Sequence, residues 1–201
     1  MESAHTQALW QLIERRTVPG SDSEAIDRQI WDRFGGEWAV MFTDLAGFSR
    51  QVAKFGIIHF LQTIFEQQRT LVPIVERHGG VVIKVEADSL LILFPAPREA
   101  LVCAVEMQRA CYALNANCDP EHHLVLCVGI GHGRLLRLGD DDVFGHEVNL
   151  ASKLGEDTAV GHEILTTRAA RQAIGDVPGV TWEEVQADYA GESLCWRARY
   201  G

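Results

Sequence analysis

The chain is short of basic residues for its acid content. Eighteen Lys and Arg stand against 28 Asp and Glu, a formal net charge of −10 over 201 residues. That balance excludes non-specific coating of nucleic acid or of an anionic membrane surface. It leaves room for an anionic ligand, if a few basic side chains share one cleft or cations are recruited to it. Long apolar runs are missing too: the stretch from Ser89 to Pro97 falls far below the roughly 18 residues of a membrane span. Met1-Glu2-Ser3-Ala4-His5 shows no basic region leading into an apolar core, so the expectation is a chain without a signal peptide, in the cytoplasm. The five cysteines form no CxxC, which argues against a zinc site or a disulfide framework and for reduced thiols. Neither internal repeats nor low-complexity tracts occur. With 47% hydrophobic and 23% charged residues, disorder is excluded, and the length suits one domain with a short appendage.

What is present reads as alternating elements. Ala8, Leu9, Leu12 and Ile13 recur at helical spacing, 19–23 interrupt them, and the pattern resumes from Glu24 to Phe34. Residues 1–36 are therefore predicted to be a helical lead-in, a cap or dimerisation element, set off by Gly35-Gly36 from a domain over 37–201. A buried strand is expected at Trp38–Asp44. A long helix follows, with Ile57, Leu61, Ile64, Phe65, Leu71, Val72 and Val75 on its buried face and a bend near Pro73. Strands are expected at 81–85 and 89–94, and a second long helix runs through Ala100, Ala104 and Cys111. Then come a hairpin from 123–130 and 135–138, a short helix at 148–154, a strand at 163–166 and two last strands at 180–185 and 193–200. Strand, helix, strand, strand, helix, strand is the order of an α+β fold of the ferredoxin-like split βαβ type: a largely antiparallel sheet with helices on one face.

Three segments carry candidate chemistry. In Phe42-Thr43-Asp44-Leu45-Ala46-Gly47-Phe48-Ser49, an acid at a strand end supplies a hard oxygen for a metal. The main-chain N–H groups that follow, through Phe48 and Ser49, could hold phosphate oxygens at a helix start. The same Asp44 could simply cap that helix. In Lys84-Val85-Glu86-Ala87-Asp88, charge gathers at a tight strand junction, which suits either a solvated turn or a second metal carboxylate. In the segment 142–154, Asn149 and Lys153 lie four apart and so share a helix face, pointing at a ligand or at solvent. Other signals are bland. Gly129-x-Gly131-x-Gly133 is not a dinucleotide loop. His122, His123 and His132 are ordinary strand or turn residues, and Cys127 lacks an orienting partner for nucleophilic work.

Taken together, Phe-Thr-Asp-Leu-x-Gly-Phe-Ser and Val148-Asn149-Leu150-Ala151-Ser152 resemble the catalytic domain of class III adenylate/guanylate cyclases, over about 37–198. The resemblance implies two divalent ions, Mg2+ or Mn2+, on Asp44 and Asp88, with the Leu45 carbonyl completing the shell. It implies that Lys84 and Asp142 read adenine and that Asn149 orients the ribose. Lys153 would stand where an arginine stabilises the transition state, and Arg134 would meet the triphosphate. It further implies a homodimer with sites shared between protomers, a nucleoside triphosphate as substrate, and neither nucleic acid nor membrane insertion as a partner.

Departures from the family pattern are specific. Lys153 keeps the charge of the usual arginine but not its two-pronged donor set. Asp188-Tyr189-Ala190-Gly191 occupies the place of a lysine-bearing triphosphate motif, and Glu86-Ala87 replaces an apolar residue and a glycine. The leading expectation is an adenylate cyclase making a cyclic nucleotide second messenger. Two readings compete with it. One is a pyrimidine cyclase forming cUMP or cCMP, like the stand-alone enzymes of bacterial anti-phage defence. The other is a degenerate nucleotide-binding regulatory module.

Overall fold

A computed structural model describes residues 3–47 and 53–201. Two helices open the chain, α1 (Ala4–Thr17) and α2 (Ser23–Phe34), capped by the Ser3 and Asp22 side chains. They lead into β1 (Gly35–Leu45), α3 (Ile57–Arg77), β2 (Val81–Glu86), β3 (Ser89–Phe94) and α4 (Pro97–Asn115). Then follow β4 (Leu126–Leu138), β5 (Asp142–Phe144), α5 (His146–Ser152), β6 (Ile164–Thr166), α6 (Arg168–Ile174), β7 (Val180–Tyr189) and β8 (Glu192–Tyr200). The strands form one sheet in the order β2-β3-β1-β4-β6-β8-β7, with β5 paired to β4. Every pairing is antiparallel except β4 with β6, so the α+β, largely antiparallel architecture expected from the sequence is the one observed.

The strands alternate, so each shows two faces. Ala39, Met41, Leu90, Ile92, Val128 and Ile130 bury against α3, α4 and α6 in the largest core cluster. Val40, Leu91, Leu93 and Leu135 face the other way and pack on Val148 and Ala151 of α5. The long helices thus share one face as expected, while short α5 covers part of the other. A third cluster joins Leu9, Leu12, Ile26, Ile30 and Phe34 of the first two helices to Leu138 of β4.

Four local expectations change. Gly35 and Gly36 do not separate the lead-in from the domain; they are the first residues of β1, paired with Leu136 and Leu135. The hairpin expected within 123–138 is one strand of 13 residues, because β1 pairs with it continuously from Leu126 to Leu136. The buried stripe of α3 is Thr63, Gln67, Leu71, Ile74 and Val75, whereas Ile57, Leu61 and Phe65 point outward at 52–63% exposure. Pro73 lies inside that helix, as expected. Finally, the helix expected at 148–154 begins at His146 and gives way at Lys153 to a π turn spanning Lys153–Thr158.

Candidate active site

Register explains why distant residues meet. Phe42 and Lys84 each pair with Leu91 of β3, and Thr43 pairs with Leu90. Phe42, Asp44, Ser89 and Leu91 therefore lie on the same sheet face, the one α5 partly covers. A bulge between Val82 and Lys84 turns the end of β2 into line with them. A groove of about 250 Å³ opens there, lined by Phe42, Lys84, Glu86, Ser89, Asp142, Asn149 and Glu156, among others. Its depth depends on glycine. A Cβ on Gly129 would stand 2.2 Å from the Ala151 carbonyl oxygen and 2.5 Å from the Gly155 nitrogen; one on Gly131 would stand 2.6 Å from the Glu147 carbonyl oxygen. The alternating glycines of β4 are thus a bare track on which α5 and the π turn lie close to the sheet. Glu147 locks that position, its Oε2 accepting from the His132 N–H at 3.0 Å and from the Thr167 hydroxyl at 2.7 Å.

On the groove wall, the Lys84 ammonium donates to Asp142 Oδ2 at 2.7 Å, and Asp142 Oδ1 accepts from the Val143 N–H at 2.8 Å. Asp142 stands on β5, the short strand that folds back from β4 to reach β2's neighbourhood. Asp44 and Asp88 do not line this groove but lie next to it: Asp44 is the last residue but one of β1, and Asp88 stands in the β2–β3 turn beside Ser89 of the lining. Asp88 is 8% exposed. The Ser89 hydroxyl donates to Asp44 Oδ1 at 3.2 Å. Burial, then the neighbouring charge of Asp88, pushes the Asp44 carboxyl up to about 7. Burial also pushes Asp88 up, against the pull of the main-chain N–H groups of Asp88 and Leu45. Two desolvated carboxyls side by side repel when both are ionised, and a divalent cation is the group that removes that repulsion. Among the described residues no cluster of three His, Cys, Asp or Glu forms. A cation here would therefore take the two carboxylates, together with main-chain or substrate oxygens, as Mg2+ commonly does.

The remaining sequence candidates are placed differently. Leu45 is buried at the end of β1, next to Asp44. Asn149 lines the groove. Lys153 does not: it is exposed and donates to Asp157 within the π turn. Nor does Arg134 reach the carboxylates of its own chain. It pairs with Glu37 seven ladder positions from Asp44, and its guanidinium lies 4.3 Å from the centre of the Trp31 ring of α2. Phe48 and Ser49 fall outside the described residues. Sequence reasoning missed Glu156, whose charge raises both Asp44 and Asp88; only the π turn, invisible to helical periodicity, brings it round. The five thiols are free, and burial pushes Cys103, Cys111 and Cys127 up to about 12, which leaves none of these three as a nucleophile near neutral pH.

Residues 35–187 match the family described as the adenylate and guanylate cyclase catalytic domain, and the chain belongs to that family, the class III nucleotidyl cyclases. Two curated relatives match in part; one, from Myxococcus xanthus, is named serine/threonine-protein kinase pkn2 and is 25% identical over 101 residues, 50% of this chain and 12% of its own. A protein of Rhizobium meliloti (strain 1021), provisionally designated adenylate cyclase 3, is 29% identical over 116 residues, 58% of this chain and 20% of its own. The chain spans a fifth or less of the length of the curated relatives it matches. Among solved structures, the adenylate/guanylate cyclase/hydrolase from Silicibacter pomeroyi shares the fold at TM-score 0.70 and 23% identity, over 82% of this chain and 95% of that one. The adenylyl cyclase CyaB from P. aeruginosa does so at TM-score 0.68 and 20% identity, over 83% and 95%. No helix among the described residues is long and apolar enough to cross a membrane.

Proposed function

We propose that this chain converts ATP to 3′,5′-cyclic AMP and pyrophosphate, as a homodimer whose sites take residues from both copies. The observation that carries the reading is the Lys84–Asp142 pair on the groove wall. Lys84 has three N–H donors and gives one to Asp142, and the carboxylate has acceptor capacity to spare. The pair thus offers a donor and an acceptor side by side. Adenine presents the complement, an acceptor ring nitrogen next to an amino donor.

Asp44 and Asp88 suit two divalent cations, which when bound lower the pKa of the ribose 3′-hydroxyl and offset the charge of the triphosphate. The 3′-hydroxyl gives its proton to solvent, its oxygen attacks the α-phosphorus in line, the bond from that phosphorus to the bridging oxygen breaks, and pyrophosphate departs. Asn149, one of the residues lining the groove, orients the ribose and holds the attacking oxygen near its target. Lys153 and Arg134 lie outside the groove of their own chain, which is what a shared site would require of cations meant for the phosphates.

The test is direct. The purified protein is incubated with Mn2+ and, separately, ATP, GTP, CTP and UTP, and the products are identified by mass spectrometry. Cyclic AMP from ATP, lost at least ~10³-fold in Asp44→Asn, is the expected result for removal of a metal carboxylate. A preference for UTP or CTP would replace ATP with a pyrimidine and put the protein beside the anti-phage cyclases. No cyclic product from any triphosphate would leave a regulatory nucleotide-binding module. A monomer with full activity, measured by sedimentation at the assay concentration, would remove the shared site.

A further inference from the structure

Two glutamines are wholly buried, and they differ in one respect. Gln108 of α4 is 0% exposed; its Nε2 donates to the Leu126 carbonyl at 3.0 Å, and its Oε1 lies 3.3 Å from His162 Nδ1. Gln67 of α3 is also 0% exposed, and its Nε2 donates to the Asp88 main-chain carbonyl at 2.6 Å. Its Oε1 is buried without a hydrogen-bond partner among the described residues. An unmade hydrogen bond to a buried acceptor is costly to folding, and native interiors rarely leave one.

The place of that open acceptor gives it meaning. Asp88 follows Ala87, a non-glycine residue with φ of 52°, so its turn is held in a conformation that alanine resists. The bond from Gln67 pins the turn by the carbonyl of the very residue whose carboxyl faces Asp44. Both amide atoms of Gln67 hang on one carbon, so Oε1 lies beside the same turn. Divalent cations such as Mg2+ keep several waters, and those waters need acceptors in the surrounding protein.

We infer that Gln67 is a positioning residue of the cation site: its amide nitrogen fixes the main chain of Asp88, and its amide oxygen holds an ordered water of the cation's hydration shell. The inference rests on Asp44 and Asp88 being cation ligands, and the experiment separates the two. Mn2+ alone, without nucleotide, is titrated into the wild type, Gln67→Met, Gln108→Met and Asp44→Asn, and free Mn2+ is read by electron paramagnetic resonance. Circular dichroism checks that each variant is folded. Loss of a group that orients a metal's ligands weakens affinity by ~10–100-fold, and that is expected of Gln67→Met. Gln108→Met, with the same buried chain changed, is expected to stay within about twofold, because its bond goes to the Leu126 carbonyl of β4 and not to the Asp88 turn. Equal affinity in Gln67→Met and wild type overturns the inference, as does an equal loss in Gln108→Met. Should Gln67→Met not fold, a crystal structure of the wild type with Mn2+ decides. A water bridging Gln67 Oε1 to the ion supports the inference and its absence overturns it. If the wild type takes up no Mn2+, or Asp44→Asn takes up as much, the cation reading itself fails and the inference falls with it.

Discussion

On the face under α3, α4 and α6, the sheet presents Ala39, Met41, Leu90, Ile92, Val128 and Ile130, and the helices answer with Leu71, Ile74, Val75, Leu101 and Met107. On the opposite face the same strands show Phe42, Asp44, Ser89, Gly129, Gly131 and Gly133, and among the described residues a seven-residue helix and a π turn lie over them. Adjacent residues of β1 and β4 serve the two sides by strict alternation. One side excludes water by filling space with side chains. The other packs Val40, Leu91, Leu93 and Leu135 on α5 but brings backbone to backbone where β4 carries glycine, and leaves a groove at the edge of the contact. Stability is therefore concentrated on the first face and chemistry on the second, and substitutions one residue apart should separate them.

The sharpest separation compares Leu71→Ala with Gly129→Val. Leu71 is 0% exposed, and its truncation should cost ~2–5 kcal/mol in urea unfolding while cyclase activity at low temperature survives. A side chain on Gly129 meets main-chain atoms of Ala151 and Gly155 that cannot step aside, and should cost ~1–3 kcal/mol or more and abolish activity as α5 lifts. If Gly129→Val keeps its activity, the close approach of α5 is not what forms the groove.

A smaller effect follows from charge. An unfolded Asp loses its proton near 3.8, whereas Asp44 in the fold keeps it to about 7, so between those values the folded state binds more protons. Rising pH must then weaken the metal-free fold across that window, with no further change above it. Asp44→Asn lacks this penalty, so its melting temperature relative to wild type should climb from pH 4 to pH 7 in the presence of a chelator. Mn2+ should restore the wild type. A difference that stays flat with pH would mean that the pair is not desolvated.

Two fine adjustments complete the comparison. Asp157→Asn frees Lys153 from its partner in the π turn. If that ion pair competes with the phosphates for Lys153, kcat should rise by a few-fold, about the worth of an exposed pair; an unchanged or lower kcat would assign Lys153 to the turn alone. Ala87→Gly relieves the left-handed backbone at φ of 52° and should stabilise by ~0.5–1 kcal/mol in the same unfolding assay.

Much of this was legible before the coordinates. β1 and β3 read as strands because their apolar runs are short and bounded, and Asp44, Asp88, Lys84 and Asn149 could be picked out by residue type and spacing. The misreadings share a cause: a residue was judged by its own chemistry when its neighbour's mattered. The hairpin expectation left 131–134 between two strands, yet Gly131 and Gly133, like Gly129, are strand residues opposite a helix that needs the room. Thr63 and Gln67 take the buried stripe of α3, and the apolar Ile57, Leu61 and Phe65, which were expected on it, are left outside. Glu156 could be reached only through a change of helical pitch, which no pattern of period 3.6 contains.

The junction of α2 with β1 carries one more consequence. Phe34 ends the helix and Gly35 opens the strand with no residue between them, while Trp31 holds Arg134 of the neighbouring strand. Eleven residues later, ~36 Å away at strand rise, the same strand ends beside Asp44. In mechanical terms the helical pair is a handle on a stiff rod, not a weight on a string. Any force on those first helices is borne by the strand that ends beside the Asp44 carboxylate, and it arrives there undiluted by slack.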